Sequence, residues 1–261
     1  MATTTTNAPL IEIRDLSFGY NKDQEILSKT SCSVTADKFT VIMGRNGSGK
    51  STLLRLASGI LPYRTGSIKI KGTELKNLKP GQRARHIGFL AQQHKAVFPF
   101  RVSEVVLTGR ASYVTYLPGK DDEYEAARAM ELAGISALKN RIYSELSGGE
   151  QQLVMIARIL AQNPDILMMD EPISHLDYNN QIHILKMIRQ LVENGVSVVA
   201  VLHDPNMALL SGDEFIYIHN RKAHQVRQED ALEHALVNRV FHDDVQTVEH
   251  KGKQILIPNL P

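Results

Sequence analysis

The sequence is short of everything that would make the chain a membrane span, a disulfide scaffold or a nucleic-acid clamp. A single cysteine, Cys32, stands in 261 residues, so neither an internal disulfide nor a cysteine-based metal cluster can form. Cys32 itself reads as a small buried residue of a strand. No apolar run reaches the roughly 18 residues a membrane helix needs, and the longest, such as Val196–Leu202, have the length of buried strands. Any membrane role must be borrowed from a partner. The charges nearly cancel, 30 basic against 28 acidic, and no cluster of Lys and Arg marks a nucleic-acid footprint. The start, Met1-Ala-Thr-Thr-Thr-Thr-Asn-Ala, has neither the charged nor the apolar part of a signal peptide, and residues 1–9 read as a disordered leader. These absences point to the cytoplasm.

What is present is an ordinary globular composition, 43 % apolar and 22 % charged, with enough apolar material for a sizeable core. Leu10–Leu16 alternates as a half-buried strand does, and Ile68–Lys71 and Ile87–Leu90 also read as strands. Phe39–Met43 is an apolar run that meets a glycine-rich turn and then a helix, Lys50–Ser58. From about Arg101 to Asn163 the period becomes helical, with Val102–Arg110, Asp121–Ala133 and a helix opened by Ser147 and ended before Pro164. Buried strands follow at Ile166–Met169 and Val198–Leu202, with a helix Tyr178–Asn194 between them that Asp177 caps. A short helix Asp230–Val240 and edge strands Val245–His250 and Gln254–Ile257 close the chain. The expectation is an α/β core with a helical insertion near the middle.

Gly44-Arg-Asn-Gly-Ser-Gly-Lys50-Ser51 satisfies G-x-x-x-x-G-K-[ST] between a strand and a helix, the setting such a loop requires. Its glycines let successive backbone N–H groups face a phosphate, and the helix behind adds the positive end of its dipole. Lys50 is expected to reach the β- and γ-phosphates and Ser51 to ligate Mg²⁺. The nucleotide set is Gly44, Arg45 (a permissive position), Asn46, Gly47, Ser48, Gly49, Lys50, Ser51 and Thr52. A buried strand then delivers two carboxylates: Asp170, suited to holding Mg²⁺ directly or through water, and Glu171, suited to act as general base toward water. Leu146-Ser-Gly-Gly-Glu-Gln151 makes a second anion site, with Ser147 as N-cap and glycines exposing amides ahead of a helix. One chain thus carries two phosphate cradles, although one ATP has one γ-phosphate.

This last segment resembles the signature motif of ABC-type ATPases, and that resemblance, which covers nearly the whole chain, resolves the puzzle. In that family the signature of one subunit (here Ser147, Gly148, Gly149 and Glu150) closes on ATP held by the P-loop of another. The resemblance implies that Tyr20 stacks on adenine and that Gln92, in Phe89-Leu-Ala-Gln92, is the Q-loop glutamine touching Mg²⁺ and the attacking water. It further implies that Ser174, His175, Leu176 and Asp177 form the D-loop and that His203 contacts the γ-phosphate. His175 departs from the alanine of many relatives. The implied fold is a P-loop NTPase core of ABC-ATPase type with an antiparallel β subdomain, over residues 10–94 and 165–261, and an inserted α-helical subdomain over 95–164.

Phe98–Arg110 is similar to the "T-V-x-E-L-V-x-x-G-R" segment of importer ATPases for iron–siderophores, haem and cobalamin, with molybdate and tungstate importers close by. Ala111–Gly119 and the ending Glu249–Pro258 resemble the same group. The resemblance implies a homodimer that hydrolyses ATP with Mg²⁺ at the cytoplasmic face of the cell membrane. It would dock through the Q-loop and helical subdomain on two integral-membrane permeases and serve, indirectly, a substrate-binding protein. Residues 92–110 are the expected permease contact, with Glu104 and Arg110 as its charges. The competing readings are a soluble ABC ATPase of DNA repair or translation and the ATPase of another transporter class. The short interval from Gln92 to Ser147, without Cys pairs, and the single cassette argue against the first; the Thr-Gly-Arg110 segment argues against the second.

Overall fold

The computed structural model describes residues 9–21, 24–91, 99–228, 245–250 and 253–258. Residues 1–8 of the expected leader, Gln92 and the expected helix Asp230–Val240 lie outside the described residues. In chain order the elements are β1 (Ile11–Asn21), β2 (Gln24–Val34), β3 (Phe39–Gly44), α1 (Lys50–Ala57), β4 (Thr65–Ile70), β5 (Thr73–Glu74), α2 (Pro80–His86) and β6 (Ile87–Leu90). Then come α3 (Val102–Leu107), α4 (Lys120–Leu132), α5 (Gly148–Leu160), β7 (Ile166–Asp170), α6 (Tyr178–Glu193), β8 (Ser197–Val201), α7 (Pro205–Ser211), β9 (Glu214–His219), β10 (Lys222–Arg227), β11 (Val245–His250) and β12 (Lys253–Pro258). The chain divides into two units, Met1–Leu78 with Val199–Pro261, and Lys79–Val198, so that the boundary falls within β8.

In the first unit, β2, β1, β4 and β5 are neighbours in one antiparallel sheet. The alternation expected over Leu10–Leu16 is interrupted: Ile11 and Ile13 are buried, but the next buried residue is Leu16. Asp15, at φ +47°, and a register shift between Ile13 and Leu16 form a bulge that turns the strand by one residue, so the apolar face resumes on the same side. Cys32 faces this interior from β2, and burial pushes its thiol up to about 12. β3 is buried from Phe39 to Met43 and pairs in parallel with β9, Ile42 opposite Ile216, while β10 returns antiparallel to β9. β11 and β12 form a separate antiparallel hairpin.

In the second unit, β6 and β7 pair in parallel, with Phe89 opposite Met168. β7 is buried throughout, and a strand buried on both faces reads as the continuous apolar run Ile-Leu-Met-Met. Helices α3, α4 and α5 pack on one another. The expected helix over Val102–Arg110 is shorter than its apolar spacing predicts: α3 ends at Leu107 and the chain tightens into a 3₁₀ turn over Thr108–Ser112. A methyl group on Gly109 would run into the carbonyl of Arg158 in α5, so the turn lies directly against that helix.

Candidate functional site

The first unit assembles Tyr20, the loop 44–51 and His203. β3 ends in Gly44, and α1 begins at Lys50 behind Gly49, whose φ of +105° is one that only glycine adopts without strain. No side chain caps α1 and no acidic residue sits in its first turn, which leaves the amide end of the helix for an anion. Lys50 is 5 % exposed and curls back over the loop, donating to the carbonyls of Gly44 and Arg45 at 2.9 Å each. Ser48 Oγ is buried and, among the described residues, has no hydrogen-bond partner. Arg45, Asn46 and Gly47 are exposed at the rim, Ser51 is half-buried, and Thr52 is buried. Tyr20 is 56 % exposed, yet its ring is held: the phenol lies 3.2 Å from Thr52 Oγ1 and Phe18 meets the ring edge-on at 5.1 Å between centroids. Leu202 N–H donates to Ile42 O at 3.3 Å, two residues ahead of Gly44, so the exposed His203 leaves the sheet close to the start of the loop.

The second unit assembles Asp170, Glu171, residues 174–177 and the glycines after Ser147. Asp170 is fully buried at the end of β7. Glu171, at φ +57°, and His175, at φ +64°, both hold left-handed backbone conformations that cost about 1–3 kcal/mol each in non-glycine residues. Ser174 sustains the first of them. Its hydroxyl donates to Glu171 Oε2 at 3.0 Å and its N–H to Glu171 O at 3.2 Å, which aims the carboxylate. Sequence reading gave Ser174 to the D-loop but not this orienting bond. Asp177 caps α6 as expected, accepting from Asn180 N at 3.0 Å, and the interaction lowers its pKa.

Ser147 opens α5 in a reciprocal capping box. Its N–H and its hydroxyl both donate to Glu150 Oε2 at 2.8 Å, and Glu150 N–H returns to Ser147 Oγ at 3.4 Å. The Ser147 hydroxyl and amide are the main reason the Glu150 carboxyl is held below its ordinary range. Two contacts tie this helix to the segment that follows Glu171 and to the start of α6. Asn180, fixed to Asp177 Oδ2 at 2.6 Å, lies where a side chain on Gly149 would have to go, 2.7 Å from that position. Gln152 Nε2 donates to the carbonyl of Pro172, beside Glu171, at 2.9 Å. Neither Asn180 nor Gln152 carries a motif that sequence alone could flag.

Arg110, expected to present its charge to a partner, does not. It is 8 % exposed; its guanidinium donates to Asp122 at 3.0 Å and to Ala161 O at 3.0 Å, and it lies over the Tyr113 ring at 4.0 Å. The Gly-Arg pair is a packing device that fastens the 3₁₀ turn to α4 and α5. Glu104 is also engaged locally, accepting from Arg101 N at 2.7 Å at the start of α3.

Three comparisons bear on this geometry. The family model for the ABC transporter domain matches residues 27–174. A hemin import ATP-binding protein of Rhizobium etli is 38 % identical over 89 % of this chain and 90 % of its own length. Among solved structures, one of an inward-facing transporter described as of metal-chelate type superposes with a TM-score of 0.83 over 97 % of this chain and 98 % of that one at 24 % identity, which bears on the fold. The dimeric structure of a bacterial ABC transporter cassette gives 0.73 over 84 % of this chain and 98 % of that one at 28 % identity.

Proposed function

Because this chain belongs to the ABC transporter family of ATP-hydrolysing subunits, we propose that it powers a membrane importer for haem or a related metal chelate, working as a homodimer with two ATP at a shared interface. The observation that carries the shared interface is the pairing of two unlike cradles in one chain. The loop 44–51 is an uncapped helix start with a lysine inside it, while the loop 147–150 is a capped start whose own carboxylate, Glu150, accepts from the Ser147 N–H and hydroxyl. The cargo reading is supported by hemin import relatives that align over most of this chain at 37 to 38 % identity.

In this reading Gly44–Thr52 hold the phosphates of ATP, Tyr20 stacks on the adenine, and Ser147–Glu150 of one copy close on the nucleotide of the other. Ser51, Asp170 and, outside the described residues, Gln92 are the oxygen donors assigned to Mg²⁺. A hydroxyl, a carboxylate and an amide oxygen are the hard ligands that ion takes, with nucleotide phosphates completing its shell. When bound, the ion neutralises charge developing on the phosphates. Glu171, aimed by Ser174, accepts the proton of the attacking water, and His203 steadies the γ-phosphate. The remaining D-loop residues, His175, Leu176 and Asp177, set the spacing between Glu171 and α6. Among the described residues no helix is long and apolar enough to cross a membrane. Attachment is therefore peripheral in this reading, through two permease subunits on the helical segment, with a substrate-binding protein delivering the cargo to them.

Complementation tests the shared interface. Lys50→Ala and Ser147→Arg each disable both sites of their own homodimer. A mixture contains dimers with one intact site, so phosphate release in a single turnover should reappear on mixing. A mixture as inactive as its components would overturn the shared-site reading.

A further inference from the structure

The stretch that follows β8 is anchored at both ends. Leu202 N–H is fixed to Ile42 O in β3. Asp204 then caps α7, accepting from Asn206 N at 2.8 Å and Met207 N at 3.0 Å, a start that Asp-Pro signals in sequence. Asn206 stands three residues after His203, and its side chain reaches to a strand fifty positions away. Leu256 N–H donates to Asn206 Oδ1 at 2.8 Å, and Asn206 Nδ2 donates to Leu256 O at 3.0 Å. The amide thus treats β12 as a neighbouring strand would, closing both backbone groups of one residue. Leu256 itself is 5 % exposed, whereas Ile257 beside it is 37 % exposed. A two-stranded hairpin is marginal by itself, so β11 and β12 need such an anchor. The restraint acts in both directions: a hairpin fixed to Asn206 also fixes the first turn of α7, and with it the short segment that carries His203.

We propose that Asn206 is a positioning residue for hydrolysis, using the C-terminal hairpin as a wall against which the 203–206 segment is held. This rests on the reading of His203 as the γ-phosphate contact. Asp204 closes the helix start, and the buried residues of α7 pack the helix on β3. The clamp on Leu256 adds a polar attachment to β12 at the first turn of α7, the end nearest His203. A reacting group displaced by about 1 Å can lose up to 10²-fold in rate, so a modest loosening is enough to be seen.

The test is a double-mutant cycle in the full-length chain, with Asn206→Ala and the bulkier Asn206→Leu, each combined with His203→Ala. Turnover and affinity for a fluorescent ATP analogue are measured separately. The expected result is a kcat lowered about 5- to 20-fold by either Asn206 substitution, with nucleotide affinity unchanged and no further loss where His203 is already alanine. An unchanged kcat, or a loss of equal size in both His203 backgrounds, overturns the proposal and leaves Asn206 as a fastener of the hairpin. If His203→Ala itself turned over at the wild-type rate, the assignment of His203 would fail and this inference with it.

Discussion

The two glycine-rich helix starts of this chain look alike in sequence and are built in opposite ways. At Gly44–Ser51 the helix end is left bare: no side chain caps α1, and the Lys50 ammonium donates to the loop's own carbonyls. At Ser147–Glu150 the helix end is already satisfied from within, by a carboxylate that accepts from both the N–H and the hydroxyl of Ser147. The first start is prepared to capture an anion; the second has an anion of its own. Two such sites are not duplicates. The second is closed by its own carboxylate, with the charge of Arg141 close enough to help hold that carboxyl ionised. The difference between the two starts is thus written in the caps of two helices.

The largest expected effect separates chemistry from what the two starts do together. Glu171→Gln leaves both starts intact and removes the proposed proton acceptor, so kcat should fall about 10²- to 10⁴-fold while ATP still draws two copies together. Phosphate-release kinetics beside sedimentation with ATP check both halves, and wild-type turnover in the variant would remove Glu171 from its role. Next in size, Lys50→Ala should weaken ATP binding by one isolated copy about 100-fold, the effect of losing charge-assisted bonds to phosphate. Ser147→Ala should leave that monomer affinity unchanged. Calorimetry on dilute protein reads the contrast directly; equal losses in the two variants would mean that the starts are equivalent after all.

A third expectation concerns how the second start is held from behind. α5 runs from Gly148 to Leu160, and near its far end the Arg158 carbonyl lies where a side chain on Gly109 would go. Gly109→Ala should therefore cost about 2–3 kcal/mol of stability, as overpacking against backbone does. It should also weaken ATP-driven dimerisation while leaving the nucleotide affinity of one copy unchanged. Denaturant titration with a parallel binding measurement distinguishes this from a general loss of folding.

Much of this was legible in the residues themselves. The P-loop is a fixed spacing of glycines and Lys50 between a strand and a helix, and β7 with Asp170 is a continuous apolar run ending in a carboxylate; both are local patterns that survive folding unchanged. Asp177 as the cap of α6 was equally readable. What stayed hidden is what depends on contact between segments distant in sequence. Arg110 looked like a surface charge because nothing near it in the chain announces Asp122 and the Ala161 carbonyl. β9 and β10 carry no pattern of their own, because their residues continue a sheet begun 174 positions earlier at β3. The left-handed turns at Glu171 and His175 run against residue preference and are held by Ser174 and its neighbours, so no propensity could forecast them.

The smallest expected effect is also the sharpest test of the comparison, because one substitution should act with opposite signs on two measurements. Glu150→Gln keeps an acceptor for Ser147 but removes the negative charge. The folded protein holds the Glu150 carboxyl below its ordinary pKa, chiefly through the Ser147 hydroxyl and amide. A group whose pKa falls on folding contributes stability that is present above its unfolded value, about 4.3, and is lost as pH falls through the lower folded value. Wild type should therefore melt slightly higher than the variant at neutral pH, by less than a full N-cap is worth since the site is exposed and screened, and the two should converge in acid. Dimerisation with ATP should move the other way. In the proposed dimer a carboxylate in the second start would repel the γ-phosphate held by the other copy, so its removal should tighten the ATP-bound dimer roughly twofold or more at low salt, with the gain shrinking as salt is added. A variant that is both less stable and a weaker dimer would mean that Glu150 is chiefly a cap, and that its charge plays no part in making the second start dependent on the first.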